Sequence, residues 1–499
     1  MEEGVVFFVG GGPGDPRLLT LRGAQILARA THVFADAELR DEVLAHAPAS
    51  AVVERVARTD AGAHVRRMIA AAKAGGRVVR VVAGDPLLFR RGDEEIVAVR
   101  GADVRIEIVA GVTALTAASA YGGLALTRSS DRSPSVAFAA VGDVSELHDW
   151  TKLSLATDTL CIVCDASHVD EITATLTYYG RSPQTPAAII RDASLPSQRV
   201  ATGTLVDMRR EARGFAAGEV LLVVGESVAL AGALRWFDVR PLFGKRLLVT
   251  RPREQGEETA EAIRERGAEA VLIPAIVIEE PEDRGPLASA VGALSTYAAV
   301  AFTSANAVER VFAELGRQGR DARAFGTAKV AAVGPGTGKA LEARGIVPDV
   351  VAKEHRGEGL AEALLAALPP GARVLLPRAE EAREVLPEAL RAAGHTVDVV
   401  TAYVTRPVGP EGARRLRAAL EERTVDAVLL TSSSSAASLV AALGDGATEL
   451  LARVVVASIG PITTSALERL GVAVDVTAAS STMPALLDAL EERFRAPRR

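Results

Sequence analysis

Thr-Ser pairs and Gly-Pro turns occur twice in the second half of the chain, at spacings suited to holding anions, not attacking them. "AVAFTSANAVERVFAEL" (299–315) matches "AVLLTSSSSAASLVAAL" (427–443), and "AAVGPGTGKALEARG" (331–345) matches "ASIGPITTSALERLG" (457–471). From Thr303 to Gly334, and again from Thr431 to Gly460, lies about one strand-helix-strand unit, so two similar lobes are expected. The turns then fall at the carboxyl ends of strands, where open α/β sheets bind ligands. Hydroxyls of Thr303, Ser304, Ser432, Ser433 and Thr463, with the free N–H groups of the helices behind them, would donate to anionic groups. The same residues would also serve as plain helix caps; the duplication favours a shared ligand.

The first half opens on "FFVGGGPGDPRLLT" (7–20), a glycine-proline loop between a hydrophobic run and a helical one. It lacks the lysine of a Walker loop and the third glycine of a dinucleotide fingerprint, so neither nucleotide class is indicated. Its glycines mark a place where the backbone approaches something closely, or only a tight turn. Cys161 and Cys164 have CxxC spacing without a second pair. A buried strand with two small apolar residues is the expected reading, and no metal site is expected.

The elements that position these groups alternate throughout. "VVFFVG" precedes "LLTLRGAQILARA", "RVVRVVAG" precedes "DEEIVAVR", "RLLVTRP" precedes "EETAEAIRERG", and "VLLPRAE" precedes "VLPEALRAAG". Strand-helix alternation predicts α/β layers around largely parallel sheets. The pattern breaks at "RWFDVRPLFGKRLLVT" (235–250), which separates an N-terminal domain, 1–240, from a C-terminal one, 245–499. A length of 499 residues calls for more than one core, and 48% hydrophobic with 24% charged residues is ordinary globular composition. The net charge of −6 and the absence of a clustered basic run argue against general nucleic-acid binding and leave an arginine-lined cleft for a polyanionic small molecule in play. No stretch offers the ~20 apolar residues of a membrane span, and "MEEGVVFF" lacks a basic leader; a cytoplasmic protein without membrane contact is expected.

"GGGPGDP", "VVAGDPLLFRRGDEE" (81–95), "VAGVTALTAASAYGGLALTR" (109–128) and "AAIIRDASLPSQRVATGTL" (187–205) follow one another in order. On these four motifs residues 4–240 resemble the uroporphyrinogen-III C-methyltransferases of the tetrapyrrole methylase group. The resemblance implies a two-lobed methylase fold, S-adenosylmethionine as cofactor, and a homodimer through this domain. It puts cofactor contacts at Pro13, Ala83, Gly84, Asp85, Leu88, Thr113, Ala114, Cys164 and Ala193, and a proton acceptor at Asp36. Arg58 falls on the proton-donor lysine of the family; arginine holds its proton to a pKa above about 12, so Arg58 would bind a propionate better than it would donate. Arg91 and Arg128 stand beside motif loops and would pair with a substrate that carries eight carboxylates.

From about residue 245 a second set of stretches, "LLVTRPREQGEETAEAIRERGAEAVLIPAIVIE", "AFTSANAVERVF", "AAVGPGTGKAL", "VLLPRAEEAREVLPEAL", "VVTAYVT" and "IGPITTSALERLG", resembles uroporphyrinogen-III synthase. The resemblance implies open parallel sheets in two lobes, one built from 245–275 with 405–499 and the other from 280–400, joined by linker strands near "PAIVIEEP" and "TAYVTRP". It adds Asn306 to the substrate contacts at Thr303, Ser304, Ser432, Ser433 and Thr463, and places Tyr403 to assist hydroxyl departure. An aromatic packed at a lobe junction is the plainer reading of Tyr403.

Together the two resemblances imply one chain that cyclises hydroxymethylbilane to uroporphyrinogen III, inverting the last ring, and methylates it twice to precorrin-2. Two alternatives stay open. In one the methylase domain is degenerate, since Ala35-Asp36, Ala57-Arg58-Thr59 and Val163-Cys164-Asp165 depart from the family pattern. In the other the C-terminal half only clamps an anionic ligand.

Overall fold

The computed structural model describes residues 4–57, 62–89, 92–130, 134–142, 149–251, 253–354 and 356–495. Arg58 and Arg91 lie outside the described residues. The chain divides into two compact units, residues 1–245 with 263–269, and residues 246–262 with 270–499.

The first unit begins with five strands, β1 (Val5–Gly10), β2 (His32–Asp36), β3 (Val52–Val56), β4 (Arg77–Val82) and β5 (Arg105–Val109), in the order 3-2-4-1-5. Every pair is parallel. β1 is central and reads "VVFFVG", apolar throughout, as a strand covered on both faces must. Its odd and even residues enter two separate cores, Phe7 and Val9 on one face, Val6 and Phe8 on the other.

A second sheet follows, of β6 (Val136–Val141), β7 (Thr159–Asp165), β8 (Pro186–Arg191), β9 (Arg199–Thr204) and β10 (Glu219–Val224), in the order 6-7-10-8-9. Here the expectation of largely parallel sheets fails. Only β6 and β7 run parallel, and the β7–β10, β10–β8 and β8–β9 pairs are antiparallel. Part of the reason is local: the short connection at 192–198 joins the neighbours β8 and β9 without the long crossover that parallel pairing needs, and β10 then inserts between β7 and β8, antiparallel to both.

The second unit starts a sheet, leaves it, and returns. The chain lays down β11 (Arg246–Val249) and β12 (Glu269–Leu272), then builds a whole second sheet from β13 (Ile276–Glu279), β14 (Ala299–Phe302), β15 (Lys329–Ala332), β16 (Val350–Val351), β17 (Arg373–Ala379) and β18 (Thr396–Pro407), and completes the first with β19 (Ala427–Leu430), β20 (Val455–Ser458) and β21 (Val476–Thr477). The sheet orders are 12-11-19-20-21 and 13-18-17-14-15-16. β11, β19, β20 and β21 run parallel, as do β14 to β18. The two segments read as linkers do more than connect. β13 pairs antiparallel with the end of β18, Ile276 opposite Pro407, and so becomes the edge of the second sheet.

An α/β architecture of paired sheets thus bears out the α/β class read from the sequence. Among the described residues no helix is long and apolar enough to cross a membrane.

Candidate functional site

Three loops meet at the carboxyl ends of β4, β1 and β5, which are neighbours in the sheet. They meet backbone to backbone. A Cβ on Gly10 would stand 2.3 Å from the Gly111 Cα, far inside contact distance, so the first glycine of "GGGP" is needed against its own protein. Gly84 N–H donates to the Gly12 carbonyl at 2.8 Å, and Gly12 N–H returns the bond at 3.4 Å. Asp85 ties the third loop on, accepting from the N–H groups of Leu87 and Gly111, each at 2.9 Å. The opening glycines therefore make room for two adjacent turns.

What this packing leaves bare is Gly84. It has φ +75°, and nothing lies within 4 Å of where its side chain would project. That open side faces two adjoining cavities, of about 440 Å3 and about 410 Å3, which share Ala83, Gly84, Ala114, Leu115, Val163 and Glu219 as walls. Ala83, Gly84, Asp85, Leu88, Thr113, Ala114 and Cys164 line the first. Pro13 and Ala193 join Ala83, Gly84 and Ala114 around the second. All nine positions read as cofactor contacts thus come together. Thr113 caps the helix Ala114–Gly122, its hydroxyl accepting from Thr116 N–H at 3.3 Å.

Asp36, at the end of β2, does not line either cavity. Its carboxylate is 7% exposed and engaged on both oxygens: Arg80 Nη2 donates to Oδ1 at 2.6 Å and Ala83 N–H to Oδ2 at 2.9 Å. Arg80, 4% exposed on β4, also donates to both oxygens of Glu95 at 2.7 and 3.1 Å, and His64 Nε2 lies 3.0 Å from Glu95 Oε1. Burial pushes the Glu95 carboxyl up, but the hydrogen bonds from His64 and Arg80 and the arginine charge outweigh it and hold Glu95 below its ordinary range. Burial disfavours the Arg80 charge, yet Glu95 and Asp36 more than compensate and raise its pKa. Sequence reasoning passed over Arg80. The signal was a charge inside the apolar run "VVRVV", which a buried strand accepts only with a partner.

A second latch runs from the opening loop to the 192–198 turn. Asp15 N–H donates to Ser194 Oγ at 3.1 Å, and Ser194 N–H to Gln198 Oε1 at 3.1 Å. Asp192 and Ser194 both take positive φ, 52° and 74°, which brackets Ala193 at the cavity wall. Cys161 and Cys164 lie on β7 at an odd offset and so face opposite ways, one into each neighbouring core. Burial pushes both thiols up to about 12, Cys164 further helped by Asp165 and Glu219. Among the described residues no group of three metal-ligating side chains occurs. Arg128 lies partly exposed in the loop after Gly123 and lines neither cavity.

In the second unit the hydroxyls sit where the strand ends were expected, and several have work within the fold. Ser304 caps the helix Ala305–Arg317, accepting from Ala307 N–H at 3.2 Å, and shares a 3.0 Å hydrogen bond with the Tyr403 hydroxyl. Tyr403, 8% exposed, packs in the core beneath that helix. Ser432 caps Ser433–Leu443 in a reciprocal capping box with Ser435, and Ser433 Oγ donates to the Ile462 carbonyl at 3.4 Å. Thr303 and Asn306 flank Ser304 and are partly exposed, whereas Thr463 is buried at 5% exposure. Thr464, which the motif reading overlooked, faces Thr477 of the next strand at 2.8 Å.

Comparison with known proteins finds two families along the chain. Residues 5–209 match the family described as tetrapyrrole (corrin/porphyrin) methylases, and residues 257–488 match uroporphyrinogen-III synthase HemD. A porphyrin biosynthesis protein HemD of Ruminiclostridium josui is 28% identical over 99% of this chain and 98% of its own. Siroheme synthase 2 of Aeromonas hydrophila is 37% identical over 47% of this chain; the chain spans 52% of that protein, about half its length. Among solved structures, uroporphyrin III C-methyl transferase from Thermus thermophilus is 32% identical, with a TM-score of 0.39 over 46% of this chain and 94% of its own. The protein is a fusion enzyme of tetrapyrrole biosynthesis, whose first part belongs to the tetrapyrrole methylases and whose second belongs to the uroporphyrinogen-III synthases.

Proposed function

We propose that the second unit closes hydroxymethylbilane to uroporphyrinogen III with inversion of the last ring, and that the first unit methylates the product to precorrin-2. S-adenosylmethionine is the methyl donor, and its sulfonium supplies an already activated methyl group. The chain's task at that site is alignment and proton handling. The observation that carries the reading is the bare Gly84 edge of the paired cavities, where any side chain would fill space that a bulky cofactor needs. Thr113 and Ala114 offer a helix start on the same wall.

Closure of the bilane asks for shape control, because the free molecule loses water and cyclises unaided to the wrong isomer. Hydroxyl and main-chain donors at the strand ends would hold its carboxylates while the last ring turns. Tyr403, through Ser304, would set the helix start at that rim.

Incubation of the full chain with hydroxymethylbilane and methyl-labelled S-adenosylmethionine tests both halves. Uroporphyrinogen III that becomes doubly labelled is the expected result. Uroporphyrinogen III without label would leave a synthase beside a degenerate methylase, and the uninverted isomer alone would reduce the second unit to a binding module.

A further inference from the structure

Arg251 stands apart from the other arginines of the second unit. It lies two residues beyond the end of β11, whose last pair is Val249 opposite Leu429, beside the end of β19 that leads to the Ser432 cap. It is partly buried, yet among the described residues it makes neither a hydrogen bond nor an ion pair. Comparable part-buried arginines of that unit have partners: Arg310 donates to the Ile278 carbonyl, Arg378 to that of Arg383, and Arg417 to Glu421. Burial lowers the pKa of Arg251, and Glu258, the acid acting on it among the described residues, only partly offsets this. A desolvated guanidinium without an anion is unfavourable, and a bidentate carboxylate is the ligand that its planar fork fits best.

We infer that Arg251 anchors an acetate or propionate carboxylate of the linear tetrapyrrole at the rim formed by the ends of β11 and β19, an inference that rests on reading this unit as the synthase. The hydroxyls of Thr431 to Ser433, at the end of the neighbouring strand β19, are neutral donors, which can orient a carboxylate but not balance its charge. Arg251 supplies that charge, so it bears on substrate affinity more than on the closure step itself.

The test compares full-length wild type, Arg251→Gln and Arg251→Lys. The rate of hydroxymethylbilane closure, the ratio of inverted to uninverted isomer, and methyl transfer by the same preparations are all measured. Arg251→Gln should raise KM for the bilane by about tenfold or more with a much smaller change in kcat, and shift product at low substrate toward the uninverted isomer. Arg251→Lys, which keeps the charge and loses the fork, should fall between. Methyl transfer from added uroporphyrinogen III should not change. Wild-type KM and isomer ratio in Arg251→Gln, or a fall in kcat with KM unmoved in both variants, overturns the assignment while leaving the synthase reading in place. Wild type no better than spontaneous closure overturns the reading itself.

Discussion

Arg80 and Asp36 are joined by a buried 2.6 Å ion pair that links β4 to β2, and the same carboxylate fixes the Ala83 N–H one residue before the bare Gly84. Asp36 therefore acts on the cavity wall through the backbone. Replacing Arg80 by methionine leaves Asp36 and Glu95 buried without their cation, a loss of about 3–5 kcal/mol. Calorimetry of the full chain should show a lowered transition for the first unit, together with weaker S-adenosylmethionine binding. An unchanged transition would mean that the pair does not hold the wall.

The same network sets an acid limit. Glu95 is held below its ordinary value of 4.5, so its contribution to stability is complete above that value and is lost as pH falls through its lower folded pKa. Denaturant titrations between about pH 5 and pH 2 should show the first unit weakening. In Glu95→Gln that part of the slope should be missing, from a lower starting stability.

Gly84→Val places a β-branched side chain at φ +75° and inside the paired cavities. Left-handed backbone costs such a residue about 1–2 kcal/mol. Binding of S-adenosylmethionine by titration calorimetry should weaken by about tenfold or more, whereas bilane closure by the same protein should continue at its normal rate. Equal loss of both activities would point to global misfolding.

The two thiols should be silent in the native protein. With pKa values near 12 and burial in the sheet, Cys161 and Cys164 hold about a thousandth of the usual thiolate at neutral pH. A disulfide reagent should titrate none of them rapidly before unfolding and both after it. One fast thiol in the native state would contradict the burial of β7.

Tyr403 and Ser304 should behave as one unit. Tyr403→Phe removes the shared hydrogen bond and should lower stability by about 1 kcal/mol and slow bilane closure, and Ser304→Ala, which removes the helix cap as well, should cost about 1 kcal/mol more. The double variant should be little worse than Ser304→Ala alone. Additive effects would separate the tyrosine from the helix cap.

Much of this was legible in the residue order. Strand-helix alternation and the duplicated Thr-Ser and Gly-Pro turns placed the strand ends in both lobes of the second unit. The four N-terminal motifs converge on one pair of cavities. What escaped were relationships that need a partner distant in sequence. Arg80 looked like one charge in an apolar strand until Asp36, 44 residues away, and Glu95 were beside it. The glycines of the opening loop looked ready for a ligand, whereas Gly10 touches Gly111. Antiparallel pairing in the β6–β10 sheet was hidden because burial patterns of covered strands do not report direction. Arg251 sat in "VTRP" with nothing in the string to say that it would make no ion pair among the described residues.

The detour between β12 and β19 also sets a schedule for synthesis. β11 is hydrogen-bonded to β19, Leu247 opposite Ala427, so it emerges from the ribosome long before its neighbour exists. At ~5–20 residues per second the wait is on the order of 10–40 s, during which an apolar strand edge has no mate. The intervening sheet can mature first and hold the ends together. A nascent chain stopped anywhere inside that interval would carry an exposed sticky edge, so premature termination here would be felt first by the cell's proteolytic surveillance.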